Sequence, residues 1–408
     1  MVAARCAAYG RRMDIVIAGG GVAGLEALLA LGGLAGNRAR LHLVAPDPDF
    51  TYKPLAVAEP FAVGRPLRVA LELVAADAGA ELVADAVAAV DDAAGVVTLA
   101  SGRTLRYDAL LLAPGARAAD GVPGATTWRP GGDPEVYGGL LRDLEEGYAR
   151  RLVIIVPPGA SWPLPAYELA LMTAGEAAGM GQDVEVMVVT PEPEPLAVFG
   201  ERARAALADE LRRGGVALRT AADPVIDGGS LVLGPAGERI EGARLYAIPR
   251  LYGPAIDGVP ADGEGFVRAG DDARVEGCER TWAAGDGVRS PVKFGALATH
   301  QARRAVAGIA EALGIPGAVD PGEPVLHGRL LTGTRTRRLR GRGDGDAAPL
   351  WWPTGKVAGE HLPRWLASHG LAPQEGAGEP EGGVEVHRTL AAMRGVEARW
   401  VRELARQR

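Results

Sequence analysis

Asp14-Ile15-Val16-Ile17-Ala18-Gly19-Gly20-Gly21-Val22-Ala23-Gly24-Leu25-Glu26-Ala27-Leu28 is the stretch whose reading decides the fold. The short apolar run at 15–18 reads as a strand buried on both faces. Gly19-x-Gly21-x-x-Gly24 follows without a gap, and an Ala/Leu-rich helix opens behind it. Strand, glycine turn and helix in this order are the context a dinucleotide fingerprint requires. Gly19 permits the tight turn, Gly21 lets a pyrophosphate approach the backbone, and Gly24 lets the helix pack close to the strand. The free N–H groups and the positive end of the helix dipole then face the phosphates.

Working outward, residues 25–32 read as the first helix and 40–45 as the second strand. An acidic residue that holds the adenosine ribose is expected about 20 positions after the glycines. Ala45 stands there instead, with Asp47 two residues on. Residues 81–91 alternate as one strand, 95–99 and 104–107 read as a hairpin, and 107–116 as a buried strand ending in a turn. A Pro/Gly/Asp-rich stretch at 129–134 reads as a linker. A second strand–turn–helix unit follows: strand 152–156, helix 166–178, strand 183–190 and helix 202–213. Strands are expected again at 264–268 and 281–286, and a helix ends the 292–313 segment.

The chain has 408 residues, which calls for two or three domains. Its net charge of −7 argues against a nucleic-acid binder. Only Cys6 and Cys278 are present, which excludes a disulfide scaffold and fits a reducing compartment. No apolar run reaches the ~18 residues of a membrane span. Residues 1–12 lack the apolar core of a secretory signal; they read as a flexible extension, with Met13 as an alternative start.

Three pieces together, Gly19-x-Gly21-x-x-Gly24, Leu112-Ala113-Pro114-Gly115 and Trp282-Ala283-Ala284-Gly285-Asp286-Gly287, resemble the FAD-dependent pyridine nucleotide-disulfide oxidoreductase superfamily. Pro114 replaces the family's Thr. Lys53-Pro54-Leu55 and the C-terminal extension resemble the branch of sulfide:quinone oxidoreductases and type II NADH dehydrogenases. The resemblance implies an α/β fold of two Rossmann-like dinucleotide-binding domains with a C-terminal extension. The expected boundaries are 13–134 for the first part of an FAD domain, 135–257 for an NAD-like domain, 258–329 for the second part of the FAD domain and 330–408 for the extension. It further implies FAD held by Gly19, Gly21, Val22, Ala23 and Gly24, with Ala45, Lys53, Pro54, Val87, Ala113, Gly115, Gly285 and Asp286 around it. Val87 matches the adenine-contacting position, and Asp286 the acid at the ribityl chain or phosphate. The helix opening at Gly295-Ala296-Leu297 is expected to aim its N-terminus at the reduced ring, with Lys293 adding a full charge. Glu168 matches a helix position near the ring and is the candidate for moving protons.

Three departures narrow the chemistry. The loop expected to cradle a second nucleotide reads Pro157-Pro158-Gly159-Ala160-Ser161-Trp162-Pro163-Leu164-Pro165. Four prolines withdraw four N–H groups from a site that depends on such donors. Residues 25–60 lack the Cys pair of disulfide reductases, and Cys278 is expected at the strand end away from the flavin, so thiolate chemistry has no residues to run on. The tail carries Arg335, Arg337, Arg338, Arg340 and Arg342, then Trp351, Trp352, Val357, Leu362, Trp365, Leu366 and His369. Arginines beside tryptophans suit an anionic membrane surface or a quinone entrance.

The expectation is therefore an FAD oxidoreductase that passes electrons from a small-molecule donor to an acceptor, with a quinone as the candidate. Two alternatives stand beside it: a type II NADH dehydrogenase using Glu192 for a ribose, and a non-catalytic flavin-binding partner protein. No metal is expected. A cytoplasmic location is expected, with the tail the candidate for peripheral contact with the inner face of the cell membrane and a homodimer left open.

Overall fold

The computed structural model describes residues 11–62, 64, 66–160, 162–234, 237–323, 328–332, 336–342, 356, 357, 359–371 and 384–386. Cys6, Ser161, Arg335, Trp351 and Trp352 lie outside the described residues. Among those described, the helices are α1 (Val22–Ala35), α2 (Leu71–Asp77), α3 (Glu135–Glu145), α4 (Leu164–Gly179), α5 (Glu201–Arg213), α6 (Gly295–Leu313) and α7 (His361–Ser368).

Met13–Ala18 lies at the centre of a parallel five-stranded sheet. It pairs with Ala39–Val44 on one side and Ala109–Leu112 on the other, with Ile17 opposite both Leu43 and Leu111. Ala80–Val83 and Thr281–Ala283 complete the two edges. The strand order reverses direction at Met13–Ala18, which opens a crevice at the carboxyl ends of the strands, where α/β sheets bind ligands. A second parallel sheet runs Thr126–Thr127, Arg244–Ala247, Arg151–Ile155, Glu185–Val189, Ala217–Arg219. Two doubly wound α/β units are present, as the resemblance implied.

The stretch 81–91 is not one strand. Ala80–Val83 joins the first sheet, whereas Val87–Asp91 pairs antiparallel with Val96–Leu99. Asp85 causes the break: its carboxylate accepts the N–H of Ala86 and the hydroxyl of Ser101, a local turn that competes with the ladder. Residues 264–268 are likewise no strand; Val267 makes only isolated bridges to Ala261 and Val288.

α1 is apolar on nearly every face, and Leu25, Leu28 and Leu31 are all fully buried. Such a helix must be covered on both sides. The sheet covers one; α6 and α7 share the other, the tail entering the same core through Leu362, Trp365 and Leu366. The expected membrane-facing stripe at 357–369 is thus turned inward. Val357, Leu362, Trp365 and Leu366 are buried, the Trp365 indole donates to Asp77 at 2.8 Å, and the His369 ring stacks on Trp365. Arg337, Arg338, Arg340 and Arg342 sit on Thr336–Arg342, a strand antiparallel to Gly328–Leu331. No helix among the described residues is long and apolar enough to cross a membrane.

Candidate functional site

The glycine turn is fixed by backbone approach. Gly19 has φ +122°, and a Cβ there would stand 2.0 Å from the carbonyl oxygen of Ala113. A Cβ on Gly24 would stand 1.9 Å from the carbonyl oxygen of Gly19. Gly21 differs: its φ is −89°, and nothing lies within 4 Å of where its Cβ would be. It faces a cavity of about 800 Å³. The first N–H inside α1's own ladder is that of Leu25, donated to Gly21. The N–H groups of Val22, Ala23 and Gly24 therefore precede the ladder, at the positive end of the helix. An open cradle, a bare glycine facing it and a helix N-terminus fit a pyrophosphate.

Gly19, Gly21, Val22, Ala23, Ala45, Lys53, Pro54, Val87, Ala113, Gly115, Gly285 and Asp286 all line this one cavity. Gly24 does not; it serves the contact between helix and turn. Ala45 is buried and donates its N–H to Val83, while Asp47 lines the cavity from an exposed position. Gly285, at φ +85°, donates its N–H to the side chain of Gln301 at 2.9 Å. Burial raises the Asp286 carboxyl above the usual range, and the charges of Lys293 and Lys53 partly offset this. Lys293 is buried at the cavity wall, donates to the carbonyl of Val288 and lies 3.9 Å from the centre of the Phe266 ring.

At the start of α6, Gly295 and Ala298 line the cavity, whereas the side chains of Ala296 and Leu297 enter the core. Ala298 makes the first bond of the helix ladder, to Phe294. Ala296 and Leu297 can thus serve a ligand only through their backbone N–H groups.

Glu168 is not a solvated helix carboxylate. It is 1% exposed and receives the ammonium of Lys356 at 2.7 and 2.8 Å, together with the N–H of Leu331 at 2.9 Å. Lys356, absent from the sequence-based reading, comes from the tail and lines the same cavity.

The second sheet presents a different entrance. Ala160 closes a turn onto Pro157, and Trp162 stacks on Phe294 at 4.7 Å, with Phe199 against its edge. Aromatic rings occupy the ground ahead of α4. Glu192 is also committed elsewhere: its carboxylate accepts from Tyr167, Thr190 and the N–H of Leu196, and it does not line the cavity. Burial raises its carboxyl above the ordinary range, opposed by those hydrogen bonds. Cys278 does not line the cavity, and burial, with Asp92 nearby, raises its thiol.

A family profile described as pyridine nucleotide-disulphide oxidoreductase matches residues 13–308. Among solved structures, the sulfide:quinone oxidoreductase of Aquifex aeolicus superposes with a TM-score of 0.66 at 20% identity, covering 79% of this chain and 82% of that one. A ferredoxin reductase of Rhodopseudomonas palustris gives 0.59 at 21%, covering 78% and 80%. NDH2 of Plasmodium falciparum, solved with NADH, gives 0.56 at 14%, covering 72% and 67%. At these identities the likeness shows the fold. Among curated proteins, the phenylalanine–tRNA ligase beta subunit of Anaeromyxobacter dehalogenans (strain 2CP-C) is 30% identical over 239 residues, 54% of this chain and 28% of that protein. The chain spans little more than a quarter of that relative's length.

Proposed function

The chain belongs to the pyridine nucleotide-disulphide oxidoreductase family and is an FAD-dependent oxidoreductase, and from that premise we propose that its electrons come from a small donor other than NADH and leave to a quinone. Bound FAD supplies the capacity to take up two electrons from a donor and release them to an acceptor. The chain's own part is binding, charge and proton supply. The N–H groups ahead of the α1 ladder would hold the pyrophosphate. Lys293 and the α6 N-terminus line the same cavity and would offer positive charge to the reduced ring. Lys356 Nζ, backed by the Glu168 carboxylate, holds a proton at the cavity wall.

The observation that carries the donor reading is the Trp162–Phe294 stack across the entrance of the second sheet. NADH needs backbone donors converging on its own pyrophosphate. Here four prolines withdraw them, stacked aromatic rings stand at the approach, and Glu192 is engaged in the interior. Cysteine-relayed sulfide chemistry lacks support too, since no cysteine lines the cavity among the described residues.

Support for a quinone comes from the cavity's chemistry and from a relative. Trp128, Trp162, Leu164 and Phe294 offer apolar walls, and Lys356 offers a proton donor to a carbonyl oxygen. The Aquifex aeolicus protein named above uses a quinone by its name. Anaerobic mixing with NADH, NADPH and sulfide, followed by mixing the reduced protein with a short-chain quinone, tests both halves. Rapid saturable bleaching by NADH sinks the donor reading, and a flavin that stays reduced in the presence of quinone sinks the acceptor reading.

A further inference from the structure

Glu26 is a fully buried carboxylate in an otherwise apolar helix. A buried charge persists only where it is paired or richly hydrogen-bonded. Its partners are the first backbone N–H groups of the tail helix. Oε1 accepts from Glu360 at 2.7 Å and His361 at 3.0 Å; Oε2 accepts from His361 at 3.1 Å and Leu362 at 2.8 Å. The negative charge also meets the positive end of α7. Chain and carboxylate approach so closely that a Cβ on Gly359 would stand 2.7 Å from Glu26 Oε2.

Four residues before Glu360 stands Lys356, whose ammonium reaches Glu168. Between them Val357 donates its N–H to the Tyr52 hydroxyl at 3.1 Å, and its side chain packs where a Cβ on Gly295 would come within 2.8 Å. So short a segment spans at most about 14 Å. The position of the α7 N-terminus therefore sets where Lys356 can reach.

We propose that Glu26 is a positioning residue: by fixing the N-terminus of α7 on α1, it holds Lys356 in the cavity against Glu168. The same helix then presents its first turn to the cofactor pyrophosphate and, through Glu26, the tail's lysine to the reacting space. The inference rests on the proposed role of the Glu168–Lys356 pair, but it is testable without donor, acceptor or turnover.

The chain contains only three lysines, Lys53, Lys293 and Lys356. Acylation of the FAD-loaded protein with an amine reagent, followed by peptide mass mapping, therefore reports on Lys356 individually, with the exposed Lys53 and the buried Lys293 as internal references. In Glu26→Ala, which removes every one of these hydrogen bonds, Lys356 is expected to label faster by about tenfold or more, since the loss of even one charge-assisted hydrogen bond shifts a docked population by that much. Lys53 and Lys293 should keep their rates, and flavin should be retained. Glu26→Gln, which keeps one acceptor oxygen, should fall between the two and serves alone if the alanine variant does not fold. Lys356 labelling at the unaltered rate in the folded variant overturns the proposal, as does equal acceleration of all three lysines, which signals general loosening. A protein inert to quinone with the expected labelling would sink the functional reading and leave this one standing.

Discussion

Replacing Gly21 by valine separates what the glycine turn does for the fold from what it does for the cofactor. Gly21 caps α1 at φ −89° and ψ −173°, extended backbone that valine adopts readily. A Cβ there meets nothing within 4 Å, so the space it takes is cavity. The apo protein should therefore keep its stability, or gain up to about 1 kcal/mol from the stiffer unfolded chain. The cofactor should be lost. Two branched methyls stand where a phosphate must approach the N–H groups of Val22 and Ala23. Two charge-assisted hydrogen bonds are worth roughly 3–6 kcal/mol, two to four orders of magnitude in affinity. Gly24→Ala is the contrasting variant: its Cβ would lie 1.9 Å from the Gly19 carbonyl oxygen, so it should lower apo stability directly. The assay is flavin released on denaturation per mole of protein, beside the melting of both apo proteins. Full flavin in Gly21→Val, or a melting loss matching that of Gly24→Ala, refutes the reasoning.

The donor reading predicts that millimolar NADH bleaches the flavin band slowly or not at all in anaerobic stopped flow; fast bleaching with a micromolar half-point would restore the NADH-dehydrogenase alternative. On α6, burial and the charges of Arg304 and Arg303 push the His300 imidazole down to about 4 from 6.5. Folded protein then stays unprotonated where the unfolded chain takes a proton, so stability present above pH 6.5 should fall as the pH drops towards 4. The loss is up to about 3 kcal/mol, less whatever its partly exposed edge gives back to solvent. His300→Leu should flatten that limb of the urea-denaturation profile, and an unchanged slope would remove His300 as its source.

Where backbone alone decides, the sequence was legible. Gly19 and Gly24 could be read because only a missing Cβ permits those approaches, and the strand before them because its apolar run has one reasonable home. The tail was harder for a physical reason. Apolar spacing at 357–369 says that a face is buried, not what buries it. The needed clue lay in α1, apolar all round and so requiring a second cover. Glu168 was ambiguous because its partner, Lys356, lies 188 residues away, and one helix position gives no sign of such a contact. The break at Asp85 was hidden because a turn aspartate does not disturb hydrophobic alternation.

One compositional signal was available throughout. Three of the chain's 44 basic residues are lysine, the rest arginine, and all three lysines line the cavity. Arginine serves the surface ion pairs, as at Arg151–Glu185 and Arg244–Asp143. The cavity uses a group with different properties: a compact ammonium with three donors that can surrender a proton, where a guanidinium keeps its charge and needs room for a planar fork. Lys293 fits that description, wedged between the Val288 carbonyl and the Phe266 face. If Lys356 is present for its proton, Lys356→Arg keeps the charge beside Glu168 and loses the function. Positioned proton transfer contributes roughly 100-fold to 10,000-fold. Reoxidation of the dithionite-reduced protein by a short-chain quinone should therefore slow by about 100-fold or more, in the arginine variant as in Lys356→Met, with flavin content unchanged. Reoxidation at the original rate in Lys356→Arg would mean that charge alone is what the tail delivers.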